Sequence, residues 1–220
     1  MKKILILICS LFGLISNSQN QTRKILIENR EIEWELVDSL LKKQIKNKVS
    51  IQNGINEIKK LLNFDNKNLI TESELEKLIN EFNSFTKKVL KENYLPNDIK
   101  GLYFGIFTSI DNNKEYITIY LSGSIISPME DSEDWNVEPI YLPKMYMIPS
   151  YFEIIKSSNV ELNGELEVLI YNGILNLIIL ENIETYKENI IKSSNEIYIG
   201  CGFDSGETYI LGKLTQQGLK

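Results

Sequence analysis

Over residues 22–49 the apolar positions Ile25, Ile32, Leu36, Leu40 and Ile45, with Val37 and Leu41 beside them, recur at helical spacing, and Glu, Lys and Asn fill the positions between. That period predicts an amphipathic helix. A break at Ser50 to Gly54 leads into a short second helix, Ile55 to Leu62. Thr71-Glu72-Ser73-Glu74 then has the form of a capping box, in which the Thr71 hydroxyl accepts from the first turn and Glu74 reaches back. The helix it opens carries Leu75, Leu78, Ile79, Phe82, Phe85, Val89 and Leu90 on one side. It ends before Pro96, whose ring disfavours helix at the residue ahead of it.

Beyond Pro96 the period changes to that of strands. Leu102 to Ser109 and Tyr116 to Leu121 are rich in aromatic and β-branched residues, and Asp111-Asn112-Asn113-Lys114 between them supplies turn chemistry, so a hairpin is predicted. Ser122-Gly123-Ser124 ends it, and an irregular stretch from Ile125 to Pro149 follows. Two helices, about Ser150 to Ser157 and about Glu165 to Tyr186, precede a second hairpin made of Glu196 to Phe203, an Asp204-Ser205-Gly206 turn and Thr208 to Leu211. The expected class is α+β, a helical N-terminal part followed by a small mostly antiparallel sheet covered by helices. Three regions result: a leader at 1–18, a helical region at 19–95 and an α+β region at 96–220.

The leader has the parts of a secretory signal: Lys2 and Lys3, an apolar run from Ile4 to Ile15, and small residues at Ser16 and Ser18. Cleavage is expected after Ser18, with a periplasmic or secreted product. The run is short of the roughly 20 residues that span a bilayer. A lipoprotein modified on Cys9 is disfavoured, because bulky Ile8 stands where a small residue is needed. Leu166 to Leu180 is the most apolar internal run, but it contains Glu167, Asn172 and Asn176 and reads as a buried core helix. No membrane span is therefore expected after signal cleavage.

Composition and charge narrow the chemistry. The 220 residues include no histidine and no alanine, which rules out Ser/His/Asp and Cys/His catalysis and imidazole-based zinc sites. Export would leave Cys201 as the lone thiol, without an internal disulfide partner. It sits in a predicted strand beside Ile199 and Phe203, as a small buried hydrophobe would. Removing the two leader lysines leaves 22 basic against 30 acidic residues, a charge of −8. Such a balance argues against nucleic acid as a partner.

The most distinctive local feature is the stretch Pro128 to Pro139. Glu130, Asp131, Glu133, Asp134 and Glu138, five carboxylates within nine residues, surround Trp135. Exposed acids so close repel one another unless a cation or a basic partner compensates them. Two roles are open to Trp135: a rigid anchor rimmed by charge, or a plug turned into the core. A calcium site is disfavoured, since Glu-Asp-Ser-Glu-Asp lacks the alternating ligands and central glycine of an EF-hand loop. The weaker echo at Asn63 to Leu75 places Lys67 among the ligand positions, so the capping box is the better explanation there. No metal or cofactor is expected. Tyr141, Tyr146, Tyr151 and Phe152, with Met145 and Met147, suit either an adaptable interface or the covering of a sheet end.

The order of LYFGIF (102–107), IYLSGS (119–124), EDSEDW (130–135) and IYIGCGFDSGETYIL (197–211) resembles that of small bacterial proteins of the polymorphic-toxin immunity and SMI1/KNR4-like kind. Gly123-Ser124, Asp134-Trp135 and Gly202-Phe203-Asp204-Ser205-Gly206 carry the resemblance, which covers about 96–211 and leaves the helical region and the leader outside it. It implies non-catalytic binding, in which an acidic loop meets a basic toxin surface. The expected function is that of an exported binding protein, of inhibitor or immunity type. Glu130, Asp131, Glu133, Asp134 and Glu138 would face a basic partner protein, with Trp135 or Tyr141 as the anchor. The alternatives are a carboxylate-dependent envelope hydrolase, which needs no histidine, and a structural envelope protein with no specific ligand.

Overall fold

The computed structural model describes residues 32–63, 69–131, 135–137, 139–157, 162, 164–191, 196–204 and 206–220. The predicted leader, the Ile25 end of the first helix and Glu133, Asp134 and Glu138 lie outside the described residues.

Helix α1, Trp34–Lys46, buries Val37, Leu41 and Gln44. The buried stripe is thus offset from the expected one, and Leu36 is half exposed. Helix α2, Ile51–Leu61, begins four residues before its expected start at Ile55. Its first N–H has no local acceptor and instead donates to Glu181 Oε2 at 3.0 Å, which satisfies one of the orphan donors of a helix start. Helix α3, Glu72–Glu92, opens on the predicted capping box. Glu74 N donates to Thr71 Oγ1 at 3.3 Å and Thr71 N to Glu74 Oε2 at 2.7 Å.

Strands β1, Gly101–Asp111, and β2, Lys114–Ser124, pair in unbroken antiparallel register from Gly101↔Ser124 to Asp111↔Lys114. Asn112 (φ 49°) and Asn113 (φ 62°) both adopt the left-handed conformation that a two-residue hairpin turn of the primed type requires. Strand β3, Tyr146–Met147, follows the long loop; helices α4, Ser150–Ser157, and α5, Gly164–Ile190, then lead to β4, Glu196–Phe203, β5, Thr208–Thr215, and β6, Gly218–Leu219. Helix α5 contains a π turn at Val168–Asn172 and a 3-10 turn at Ile183–Tyr186. It is long and apolar enough to cross a membrane by length and composition, with a mean hydropathy of 1.5 in its most apolar window, yet 78% of that window is buried inside the protein.

The six strands form one sheet in the order β3-β2-β1-β4-β5-β6, antiparallel except for the central β1/β4 pair. The fold is α+β, with helices ahead of the sheet and around it. Side chains alternate across a strand, so the sheet has two distinct faces. Leu102, Phe104, Ile106, Ile199 and Cys201 point under α3 and α5, where Phe82 packs on Phe104 at 5.4 Å. There the Cys201 thiol donates to Asn172 Oδ1 at 3.2 Å. A single apolar core runs from Val37 to Leu219, joining the helices before Pro96 to the sheet after it. The opposite face carries Gly101, Tyr103, Gly105, Gly200 and Gly202, and Tyr103 and Trp135 are buried there, apart from the main core.

Candidate functional site

The loop between β2 and β3 crosses the end of the sheet and is fixed on both faces. On the sheet face turned away from α3 and α5, Trp135 is 1% exposed. Its six-membered ring rests on the backbone of the neighbouring strands β1 and β4, because Gly101 and Gly200 have no side chains there. A Cβ at Gly101 would come within 2.4 Å of Trp135 Cζ3, and one at Gly200 within 2.7 Å of Cζ2. Tyr103 meets the indole edge-on at 5.9 Å and 88°, a favoured aromatic geometry. From Trp135 the edge-to-face contacts continue through Tyr103, Tyr120 and Phe107 to Tyr146, each pair 5.8–6.2 Å apart.

On the helical face, Tyr141 is buried in the main core and its hydroxyl donates to Asn93 O at 3.4 Å. Burial pushes its phenol up to about 12. Backbone bonds hold the same residue to β2: Gly123 N donates to Tyr141 O at 2.8 Å, and Tyr141 N to Gly123 O at 3.1 Å. Trp135 and Tyr141 therefore grip the sheet end from opposite sides.

Between β2 and Trp135 the loop is shaped by Glu130. Its carboxylate accepts from Ser127 N at 2.8 Å and from Lys100 Nζ at 2.5 Å, while Glu130 N and Asp131 N donate back to Ser127 O. The Lys100 hydrogen bond, with help from Ser127, lowers the Glu130 carboxyl to about 2. One acid of the cluster is thus committed within the loop. Asp131 is partly exposed beside it.

These positions alter the expected roles. Of the two roles open to Trp135, the structure shows the buried plug, because Gly101 and Gly200, diagonal neighbours on β1 and β4, leave room for its ring. Tyr141 is likewise inward, drawn into the core under α3, and neither side chain offers a surface. Glu133, Asp134 and Glu138 fall outside the described residues. Besides Glu130 and Lys144, the loop and its continuation expose Ile125, Ile126, Met129 (76%), Val137 (62%), Ile140, Leu142, Tyr146 and Ile148. These are eight of the twelve large hydrophobic residues exposed among the described residues, so they are concentrated in one segment of the chain rather than scattered along it. The signal for them was present in the sequence. Apolar residues without helical or strand period, in a proline-bounded segment, cannot all turn toward one core.

The β4/β5 hairpin adds a second polar feature. Tyr120 Oη donates to Asp204 Oδ1 at 2.5 Å, and burial raises the Asp204 carboxyl above its ordinary value. Gly202 is required beneath it, since a Cβ there would lie 2.3 Å from Glu207 O. Cys201 is fully buried and its thiol is held well above the ordinary value by desolvation, the opposite of an activated nucleophile. No group of three or more Cys, Asp or Glu suited to a metal ion occurs among the described residues.

Compared with known proteins, the chain matches no family model, no curated protein and no solved structure.

Proposed function

We propose that the chain is an exported, non-catalytic binding protein whose loop at 125–142 docks on a basic partner protein, of the toxin kind that immunity-type proteins bind. The reading is carried by one observation: exposed apolar side chains are concentrated on a loop that is held by Trp135 and Tyr141 and whose sequence contains five carboxylates. A surface fixed before binding loses little ordering entropy on association. Apolar residues at its centre supply the buried contact, and the acids raise the association rate and the specificity. Trp135 is then a positioning residue rather than a contact. The signal pattern at 1–18 supports the export, and the mature chain is expected to begin at Gln19.

The test is capture from envelope extract on the immobilised mature chain. Wild type retains a basic protein, and Met129→Ser with Val137→Ser loses it while keeping the wild-type melting temperature. Neutralising Glu130, Asp131, Glu133 and Asp134 slows association and flattens its salt dependence. Capture that is indifferent to both sets of changes refutes the reading.

A further inference from the structure

Four sulfur atoms occur among the described residues, those of Met129, Met145, Met147 and Cys201. Three of them are sheltered. Cys201 is fully buried, and its thiol donates to Asn172 Oδ1 inside the core. Met147 is 7% exposed and pairs with Ile119 in the sheet. Met145 is partly buried against the core, and its Sδ accepts from Asn93 Nδ2 at 3.3 Å, which engages a sulfur lone pair.

Met129 differs from all three, being 76% exposed. The turn that carries it is fixed on both sides. Glu130 N and Asp131 N both donate to Ser127 O, at 2.9 and 3.1 Å, and the Glu130 carboxylate accepts from Ser127 N and Lys100 Nζ. A turn closed in this way holds the Met129 side chain outward, with its thioether open to small solutes.

We propose that Met129 is a redox-sensitive modification site, at which hydrogen peroxide converts the thioether to the sulfoxide and the sulfoxide weakens docking of the partner. This rests on the loop-docking reading and adds regulation to it. The sulfur gives an electron pair to one peroxide oxygen, and the S–O bond forms as the O–O bond breaks. The leaving hydroxide takes the proton of the transferred oxygen and departs as water, so sulfur is oxidised by two electrons and the peroxide reduced by two. A polar, chiral group then stands where a flexible apolar side chain was. At an apolar contact its oxygen gives up water without gaining a donor, which opposes association.

The sheltering of the other sulfurs directs the reaction. A cysteine reacts with peroxide as its thiolate, and burial holds the Cys201 thiol protonated. Oxidation therefore changes the loop and leaves the core as it was.

The experiment treats the full mature chain with hydrogen peroxide and follows each methionine by peptide mass mapping. Melting temperature and capture of the basic envelope protein are measured on the same samples. Sulfoxide should form at Met129 about tenfold faster than at Met145 or Met147, in the order of their exposure. The melting temperature should stay unchanged while binding weakens about tenfold. Methionine sulfoxide reductase, supplied with a thiol reductant, should restore the binding. Met129→Leu, whatever its own affinity, should keep that affinity through the treatment, because leucine has no sulfur to oxidise. Equal rates at Met129 and at Met145 or Met147 would overturn the site. An affinity unaltered by full oxidation of Met129, or one that falls equally in Met129→Leu, would overturn the switch. If the untreated chain captures no protein, the docking reading fails and takes the switch with it, whereas mass mapping still decides the oxidation site.

Discussion

Trp135 lies over Gly200 so closely that a Cβ there would meet its ring at 2.7 Å. The contact joins a loop residue to a strand 65 positions later in the chain, and it sets the height of the loop above the sheet. Gly200→Ala should therefore displace the indole. Overpacking of this kind costs about 1–3 kcal/mol, and Trp135→Ala should cost about 3–5 kcal/mol. Urea unfolding in a Trp34→Phe background checks both, with acrylamide quenching of Trp135 rising in Gly200→Ala. A Trp135→Ala protein as stable as wild type would mean that the ring is not a plug.

The Lys100–Glu130 pair predicts a pH response of the loop. The folded Glu130 carboxyl titrates at about 2 against an ordinary 4.5. Its contribution is accordingly present above the unfolded value and is lost as pH falls from there through the folded one. Replacing Lys100 with Met removes the largest cause and should move the carboxyl upward, while the Ser127 N–H keeps it from returning fully. Carbon-detected NMR titration of Glu130 is the measurement, and an unmoved midpoint in Lys100→Met would contradict the assignment. Asp204 works in the opposite sense. Its raised value makes its contribution greatest below the ordinary carboxyl value and lost as pH rises through the folded one.

Asn176 is 2% exposed on α5, and neither its amide nitrogen nor its oxygen has a hydrogen-bond partner among the described residues. A buried polar group without a partner costs about 1–3 kcal/mol. Asn176→Leu, similar in size, should raise the unfolding free energy by an amount of that order. Chemical denaturation with an unchanged m-value checks it, and a loss of stability would show that the amide is needed where it stands.

What was legible in the sequence was local. Thr71 with Glu74 announced the start of α3, and Asn112-Asn113 announced the β1/β2 turn, because each signal and its partner lie within a few residues. The early start of α2 was not legible, since the acceptor for Ile51 N is Glu181, 130 residues away. The parallel pairing of β1 with β4 was hidden for the same reason. At the candidate site, the sequence left Trp135 open between an anchor and a core plug, and its burial decides for the plug. The notch that buries Trp135 needs Gly101 and Gly200 on neighbouring strands, diagonal to one another in the β1/β4 register, a fact of topology that no local pattern carries.

The loop at 125–142, fixed from within by Trp135 and Tyr141, is proposed as a surface for one protein partner. The most direct measurement is photo-crosslinking in the producing cells, with a photoreactive residue placed in turn at Met129, Val137 and Ile140, and at the exposed control positions Leu36 and Ile110. Expected is one discrete adduct, with the same basic protein, from the three loop positions and none from the controls. Absence of adducts from the loop, or the same adducts from loop and controls alike, would contradict it.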